Sequence, residues 1–179
     1  MNQIKRQWGL VAGIVLLLGG GVAFAARLRD EIVFVQPGSR APQFTAKNIA
    51  TDSVVTLDAY RGKVVLLNIW ATWCAPCRTE MPSIERLHQR LQGTDFRVVA
   101  VSVDVGDEQV VEDFVREMGL TFDVLQDRST AIQQIYQTTG VPESFVIDRD
   151  GVIVKKEIGD RLWDSPINET LVRRLLDGR

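Results

Sequence analysis

An apolar run that leads directly into two closely spaced cysteines constrains the fold of this chain more than any other feature. Residues Val64–Trp70 are apolar except for Asn68, which is the pattern of a strand buried on both faces of a sheet. Cys74 and Cys77 follow, and apolar residues then recur at the spacing of an amphipathic helix. Helices have to cover such a strand, so the sequence predicts an α/β domain with its chemistry at the carboxyl end of a central strand.

The two cysteines, Cys74 and Cys77, have the spacing of a redox-active pair. One helical turn brings the two sulfurs within bonding range, with Cys74 at the helix N-terminus. Free backbone N–H groups and the helix dipole favour a thiolate there and lower the pKa of the thiol. A thiolate is the attacking species in disulfide exchange. The sequence therefore predicts a redox disulfide, Cys74–Cys77, that opens and closes during exchange.

Two other interpretations of the cysteine pair are weaker. A tetrahedral zinc site needs four ligands, whereas His88 is the single histidine of the chain and is expected on the helix surface. A purely structural disulfide across so short a loop would constrain the unfolded chain little. We therefore predict no metal site, and the absence of a Gly-rich phosphate loop gives no reason to expect a cofactor.

Length and charge limit the domain organisation and the partners. The chain has 179 residues and a formal net charge of −2, so it lacks the basic excess that nucleic-acid binding requires. Its length suits one domain of ordinary size with an N-terminal addition. We predict a membrane anchor or signal peptide at residues 1–26, a tether at residues 27–41 and the folded domain at residues 42–179.

The N-terminal segment decides the predicted compartment. Lys5 and Arg6 precede an uncharged run at residues 7–26, and about twenty such residues can span a bilayer as a helix. The small-residue pattern Ala23-Phe24-Ala25 leaves a cleaved signal peptide open as the alternative. We predict an uncleaved, single-pass anchor in the cell membrane. Either way the domain leaves the cytoplasm, for a compartment that permits disulfide chemistry.

The rest of the chain alternates between strand and helix patterns. Strands are predicted at residues 44–47, 54–57, 64–70, 97–104, 122–125, 144–147 and 152–156, and helices at residues 74–91, 110–118, 132–140 and 166–176. Ser165 is the expected cap of the last helix, with Ile167 among the residues that face inward. The order predicts a mixed central sheet with helices on both faces.

Several motifs resemble a known family. Trp70-Ala71-x-Trp73-Cys74-x-x-Cys77, after a Val-Val-Leu-Leu-Asn strand, resembles the thioredoxin fold, here with an extra N-terminal β-hairpin. Residues 77–82 (Cys-Arg-Thr-Glu-Met-Pro) and 140–148 (Gly-Val-Pro-Glu-Ser-Phe-Val-Ile-Asp), with Asn68, resemble the ResA/TlpA/CcmG group. The resemblance runs from about residue 42 to the C-terminus. It implies a membrane-tethered, extracytoplasmic thiol-disulfide oxidoreductase, and several members of the group reduce apocytochrome c for haem attachment.

The resemblance also assigns roles to individual residues. Cys74 would attack the substrate and Cys77 would resolve the mixed disulfide. Pro142 would be the cis proline that faces the dithiol, exposing the backbone of Val141 for pairing with the substrate. Glu143 would be the acidic residue of the cytochrome-maturation members. Without the resemblance, a trans proline that starts a strand and a solvated glutamate at the strand end remain open.

Glu80 is the most informative residue after the cysteines. It lies three positions after Cys77, so the two side chains can share a helix face. A carboxylate there would raise the pKa of a nearby thiol and could relay its proton. Asn68 stands where ordinary thioredoxin has a buried aspartate, so Glu80 is the candidate proton acceptor. A surface glutamate is the alternative. Trp70 and Trp73 are expected to pack around the active turn, with Trp73 partly exposed as a docking platform.

These observations favour a thiol-disulfide reductase that uses the dithiol of Cys74 and Cys77. The expected substrate is apocytochrome c or another disulfide-bearing protein, and the expected reductant is a thiol electron carrier in the membrane. A general disulfide reductase or isomerase and a non-catalytic binder of thiol-containing chains remain open. The sequence disfavours a peroxidase of the peroxiredoxin type. Its Pro-x-x-x-Thr-x-x-Cys pattern would require proline and threonine where Leu67 and Ala71 stand.

Overall fold

The structure is a computed structural model that describes residues 34–178, together with Trp8 and residues 19–21. The chain divides into two units, Met1–Val33 and Phe34–Arg179, and the fold below is that of the second unit. The predicted anchor at residues 7–26 lies outside the described residues, apart from Trp8 and residues 19–21. Within the described part, no helix has both the length and the apolar character needed to cross a membrane.

The described residues form one mixed sheet of seven strands. In chain order the strands are β1 (Thr45–Asn48), β2 (Val54–Thr56), β3 (Val64–Trp70), β4 (Phe96–Ser102), β5 (Asp123–Gln126), β6 (Glu143–Ile147) and β7 (Ile153–Ile158). Their spatial order is β2-β1-β5-β4-β3-β6-β7. Strands β3, β4 and β5 run parallel, whereas β6 and β7, and likewise β1 and β2, are antiparallel to their neighbours. The predicted mixed sheet is confirmed.

Four α-helices lie within residues 34–178. They are α1 (Ala75–Arg90), α2 (Glu108–Met118), α3 (Ala131–Ile135) and α4 (Pro166–Leu176), and a short 3-10 helix covers Leu57–Tyr60. Helix α3 is shorter than predicted, because Gln137 adopts a φ of 52°, a left-handed conformation in which a right-handed helix cannot continue.

One predicted detail of α4 is confirmed and another is wrong. Ser165 is the N-cap residue, as predicted, although its side chain makes no capping hydrogen bond. Ile167 was predicted to face inward, but 78% of its surface is exposed. The buried face of α4 is carried by Asn168 and Val172, which lie four residues apart on one side of the helix. Ile167 is one position away from this stripe.

The sheet brings three chain segments to one edge. All seven residues of β3 are buried, and Trp70 at its end pairs in register with Ser102 at the end of β4. Helix α1 begins five residues after the end of β3, at this same edge. Strand β6 runs in the opposite direction and pairs Glu143 with Ile69, so β6 begins where β3 ends. The cysteines and Pro142 therefore meet at one place.

Candidate active site

The two cysteines form the first turn of α1 and are joined as a disulfide. Cys74 occupies the N-cap position, and its sulfur accepts a hydrogen bond from the backbone N–H of Cys77 at 3.2 Å. Pro76 lies in the first turn, where its missing N–H costs no helical hydrogen bond. Cys74 retains 5% of its surface and Cys77 none. A thiolate on Cys74 would therefore be stabilised by the helix N-terminus and would be the sulfur nearer to solvent.

The two tryptophans around the cysteines have different environments. Trp73, next to Cys74, is 70% exposed, whereas Trp70 is fully buried. The Trp70 ring packs on Phe114 of α2 with 4.7 Å between ring centroids. Trp70 is therefore part of the hydrophobic core, and only Trp73 offers a large apolar surface beside the disulfide.

Pro142 faces the disulfide from the start of β6. The Val141–Pro142 peptide bond is cis, which is the geometry that the family resemblance implies; the alternative of a trans proline is wrong. The carbonyl oxygen of Val141 lies 3.5 Å from the sulfur of Cys74. The carbonyl oxygen of Pro142 accepts a hydrogen bond from Gly159 N at 2.9 Å. This bond ties the proline loop to the end of β7.

Glu80 is a buried carboxylate with defined partners. Only 1% of its surface is exposed, so the interpretation as a surface glutamate is wrong. Its Oε1 accepts a hydrogen bond from Asn68 Nδ2 at 2.7 Å, and its Oε2 accepts one from the backbone N–H of Arg161 at 3.2 Å. Cys77 precedes Glu80 by one turn of α1 and is itself buried, so both groups lie on the inner face of the helix.

Burial raises the pKa of Glu80 from 4.5 to about 7, because a carboxylate is poorly solvated in the protein interior. The hydrogen bonds from Asn68 and Arg161 oppose this shift. Near neutral pH, Glu80 can therefore both take up and release a proton.

Asn68 connects the helix to the proline strand. Its Nδ2 donates to Glu80 Oε1 and also, at 2.8 Å, to the hydroxyl of Ser144 in β6. Ser144 pairs with Asn68 across the sheet. Asn68 therefore acts as a double donor to its neighbours, and Glu80 is the ionisable group in this buried cluster.

Glu143 is also buried, with no exposed side-chain surface. Its Oε1 pairs with the ammonium group of Lys156 in β7 at 2.9 Å, and its Oε2 accepts a hydrogen bond from Thr139 N at 3.1 Å. The interpretation as a solvated strand end is therefore wrong. Lys156 balances the buried charge, and the bond to Thr139 holds the loop that leads to Pro142.

Sequence reasoning missed several residues that support the site. Ser83 on α1 donates to the carbonyl of Arg161 at 3.1 Å and accepts from Trp163 N at 3.0 Å. These bonds hold the segment after β7 over Glu80. Arg161 lies 81 residues after Glu80, and no local pattern links them. His88, expected on the surface, is half-buried with its ring edge-on to Phe122 at 6.0 Å.

An open cavity reaches the Glu80 cluster from the side of β7 and α4. Its volume is about 410 Å³, and its lining includes Glu80, Lys155, Glu157 and Arg161. No group of three or more metal-ligating side chains occurs within residues 34–178. The arrangement therefore supplies an N-capping cysteine, a second buried cysteine and a carboxylate that titrates near neutrality, which are the groups that disulfide exchange uses.

Comparison with known proteins agrees with this chemistry. Residues 37–156 match the model of the AhpC/TSA family. The thiol-disulfide oxidoreductase ResA of Oceanobacillus iheyensis is 36% identical over 147 residues, which are 79% of this chain and 76% of that protein. ResA of Geobacillus thermodenitrificans is 35% identical over 173 residues, which are 94% of this chain and 97% of that protein.

A solved structure shows the same fold. A thiol:disulfide interchange protein of the thioredoxin family from Chlorobium tepidum TLS superposes with a TM-score of 0.66, covering 80% of this chain and 99% of that one at 24% identity. The predicted thioredoxin-like fold is confirmed. From the family match and the named relatives together, the chain belongs to the AhpC/TSA family and is a thiol-disulfide oxidoreductase similar to ResA.

Proposed function

We propose that the protein is an extracytoplasmic disulfide reductase, held in the membrane by residues 7–26, whose substrate is apocytochrome c. The observation that carries the reducing direction is the buried carboxylate of Glu80 one turn after Cys77. A negative charge there disfavours a thiolate, whereas strong disulfide oxidants depend on a stabilised reduced form. The two residues between the cysteines, Ala75 and Pro76, add no cationic group that would stabilise a thiolate.

The reaction begins with the thiolate of Cys74. It attacks one sulfur of the substrate disulfide, so a Cys74–substrate bond forms, the substrate S–S bond breaks, and the leaving thiolate takes a proton. Val141 and Pro142 flank Cys74, and the backbone of Val141 is placed to pair with an extended substrate chain. Trp73 offers apolar contact beside it.

The second step resolves the mixed disulfide. Cys77 gives its proton to the carboxylate of Glu80 and attacks the sulfur of Cys74, which restores the Cys74–Cys77 disulfide and releases the second substrate thiolate. That thiolate takes a proton from solvent. The substrate has then gained two electrons and two protons. The pKa of Glu80 near 7 suits this transfer, and the cavity beside Glu80 supplies a route for the proton to solvent.

The assignment to apocytochrome c rests on the resemblance of residues 140–148 to the cytochrome-maturation members, which places Glu143 after the cis proline. With Cys74 and Cys77 as its only cysteines, the oxidised protein depends on an outside dithiol for re-reduction. In an oxidising compartment, a membrane carrier that draws electrons from the cytoplasm fits this need.

Trapping of covalent complexes tests this function. Replacing Cys77 by Ala removes only the second step, so mixed disulfides on Cys74 should accumulate; the matched variant Cys74→Ala should yield few. The trapped partners should include an apocytochrome with a Cys-x-x-Cys-His motif and the membrane carrier. Capture of diverse secreted proteins without a cytochrome would instead indicate a general reductase or isomerase.

A redox titration tests the direction separately. A reduction potential of about −250 mV or lower is expected for a reductase, whereas a value of about −120 mV would indicate an oxidase.

A further inference from the structure

A buried aspartate lies beside the point where the chain leaves the sheet to form the cysteine turn. Strands β3 and β4 are parallel, and their last residues, Trp70 and Ser102, are paired in register. Two residues further on, Thr72 and Asp104 therefore lie side by side. Asp104 keeps only 7% of its surface. It is thus an interior carboxylate that the exchange chemistry described above does not use.

The carboxylate of Asp104 binds the segment after β3 at the point where backbone hydrogen bonding between the two segments ends. The last backbone bond between these segments runs from Val103 N to Trp70 O at 2.9 Å. Beyond it, Asp104 Oδ2 accepts from Thr72 N at 2.9 Å, and Oδ1 accepts from the Thr72 hydroxyl at 2.7 Å. Without this carboxylate, the N–H of Thr72 would lose its partner as the chain turns away.

Asp104 is itself held in place. Its Oδ2 also accepts from the hydroxyl of Ser102 at 2.7 Å, and that hydroxyl accepts from Asp104 N at 3.0 Å. The side chain of Gln126 donates to the carbonyl of Asp104 at 2.9 Å. No cation pairs with Asp104 among residues 34–178, so the charge of its carboxylate is compensated by the donors of Thr72 and Ser102. Because the Asp104 side chain is held in place, its two charge-assisted hydrogen bonds should hold Thr72 in a fixed position.

We propose that Asp104 is a positioning residue for disulfide exchange, which fixes the cysteine turn through Thr72 so that Cys74 can attack. Thr72 lies two residues before Cys74, and the turn closes with a bond from Cys74 N to Ala71 O at 3.2 Å. The attacking sulfur must approach the substrate disulfide in line with the bond that breaks, so small displacements of the turn slow the reaction. This inference rests on the attack by Cys74 proposed above.

Two substitutions at Asp104 distinguish its effect on the position of Thr72 from the effect of its negative charge. Asp104→Ala removes both bonds to Thr72. Asp104→Asn removes the charge but keeps both contacts, because its oxygen can accept from Thr72 N and its NH₂ group can donate to the Thr72 hydroxyl. Removing a negative charge lowers the pKa of a nearby thiol, so rates are compared at alkaline pH, where Cys74 is fully ionised in every variant.

The reaction measured is that of the reduced, full-length protein with an aromatic disulfide dye. Cys74 forms a mixed disulfide with one half of the dye and releases the other half as a coloured thiolate; Cys77 then displaces the second half. Asp104→Ala should slow the first release by about tenfold, as expected for a misplaced reacting group. Asp104→Asn should react at close to the wild-type rate.

Asp127 provides a matched control for loss of stability. It is equally buried after β5 and accepts from Ser129 N, the Ser129 hydroxyl and Ile132 N, at 3.0, 2.5 and 2.8 Å. Those bonds cap α3 and do not involve the cysteine turn. Asp127→Ala should therefore lower the melting temperature without slowing the dye reaction. Equal slowing by Asp127→Ala and Asp104→Ala, or no slowing by Asp104→Ala, would overturn the proposal.

Thr72→Val keeps the proposal testable if Asp104→Ala does not fold. It removes only the hydroxyl bond and should give a smaller but measurable slowing, whereas a wild-type rate would count against the proposal. Failure of the proposed function gives a different result. In that case the reduced wild-type protein would still release the coloured thiolate from the dye, because the dye reports only the attack by a thiolate, but Cys77→Ala would trap no apocytochrome.

Discussion

The side-chain amide of Asn68 donates a 2.7 Å hydrogen bond to the carboxylate of Glu80, inside the core and one helical turn from Cys77. Asn68 cannot take up a proton at ordinary pH, so the ionisable group of this pair is Glu80. Its pKa of about 7 places its titration in the range where thiol-disulfide exchange operates. This relationship leads to the first two predictions.

Glu80→Gln should lower the pKa of the dithiol and slow exchange at neutral pH. The substitution removes the negative charge that disfavours the thiolate, and it also removes the proton acceptor, which should cost about a hundredfold in rate. Thiolate absorbance and dye kinetics measure the two effects. Glu85→Gln is the matched control, because Glu85 is buried on the same helix but binds Thr121. Identical curves for wild type and Glu80→Gln would reduce Glu80 to a structural role.

The free energy of unfolding should fall as the pH rises from about 4.5 to about 7, the range between the ordinary and the raised pKa of Glu80. In this window the folded protein holds a proton that the unfolded chain has lost, so raising the pH favours unfolding. The fall attributable to Glu80 is on the order of 3 kcal/mol. Denaturant titrations at several pH values measure it. Glu80→Gln should lack this part of the slope, and an unchanged slope would contradict the prediction.

Lys156→Met should destabilise the protein by about 3 kcal/mol at neutral pH, because it leaves the carboxylate of Glu143 buried without its cation. Lys63→Met is the control, since the pair of Lys63 with Asp95 is partly exposed and solvent screens such pairs, so its loss should cost much less. Denaturant midpoints of both variants give the comparison. Equal losses would show that burial does not distinguish the two pairs.

The N-terminal prediction concerns topology. The full chain should keep its N-terminus at or near Met1, remain in the membrane fraction after a carbonate wash, and expose Cys74 outside the cytoplasm. The uncharged run at residues 7–26 is the reason. N-terminal sequencing and labelling with a membrane-impermeant thiol reagent test these points. A soluble form that starts at Ala26 would show that the Ala23-Phe24-Ala25 site is cleaved.

Local patterns predicted much of the architecture because they depend on neighbouring residues. The apolar run of Val64–Trp70 became β3 with every residue buried, and the cysteine pair became the first turn of α1. The predicted length of α3 was wrong because one residue adopts a conformation that the sequence pattern does not indicate. Helix α3 ends at Ile135, ahead of a left-handed residue at Gln137, and that conformation has no marker such as glycine in the sequence.

The sequence by itself determined the position of the dithiol, the strand and helix that present it, and, through its resemblance to known proteins, the cis proline. The tertiary structure alone decided the environment of the charged groups. Glu80 could have been a surface residue, but in the folded chain it is buried beside Asn68 and Arg161, and this burial raises its pKa. The pairing of Asp104 with Thr72 likewise joins residues 32 positions apart. The burial and the pKa of a side chain depend on which distant segments of the chain pack against it. The spacing of residues along one helix or strand does not predict those contacts.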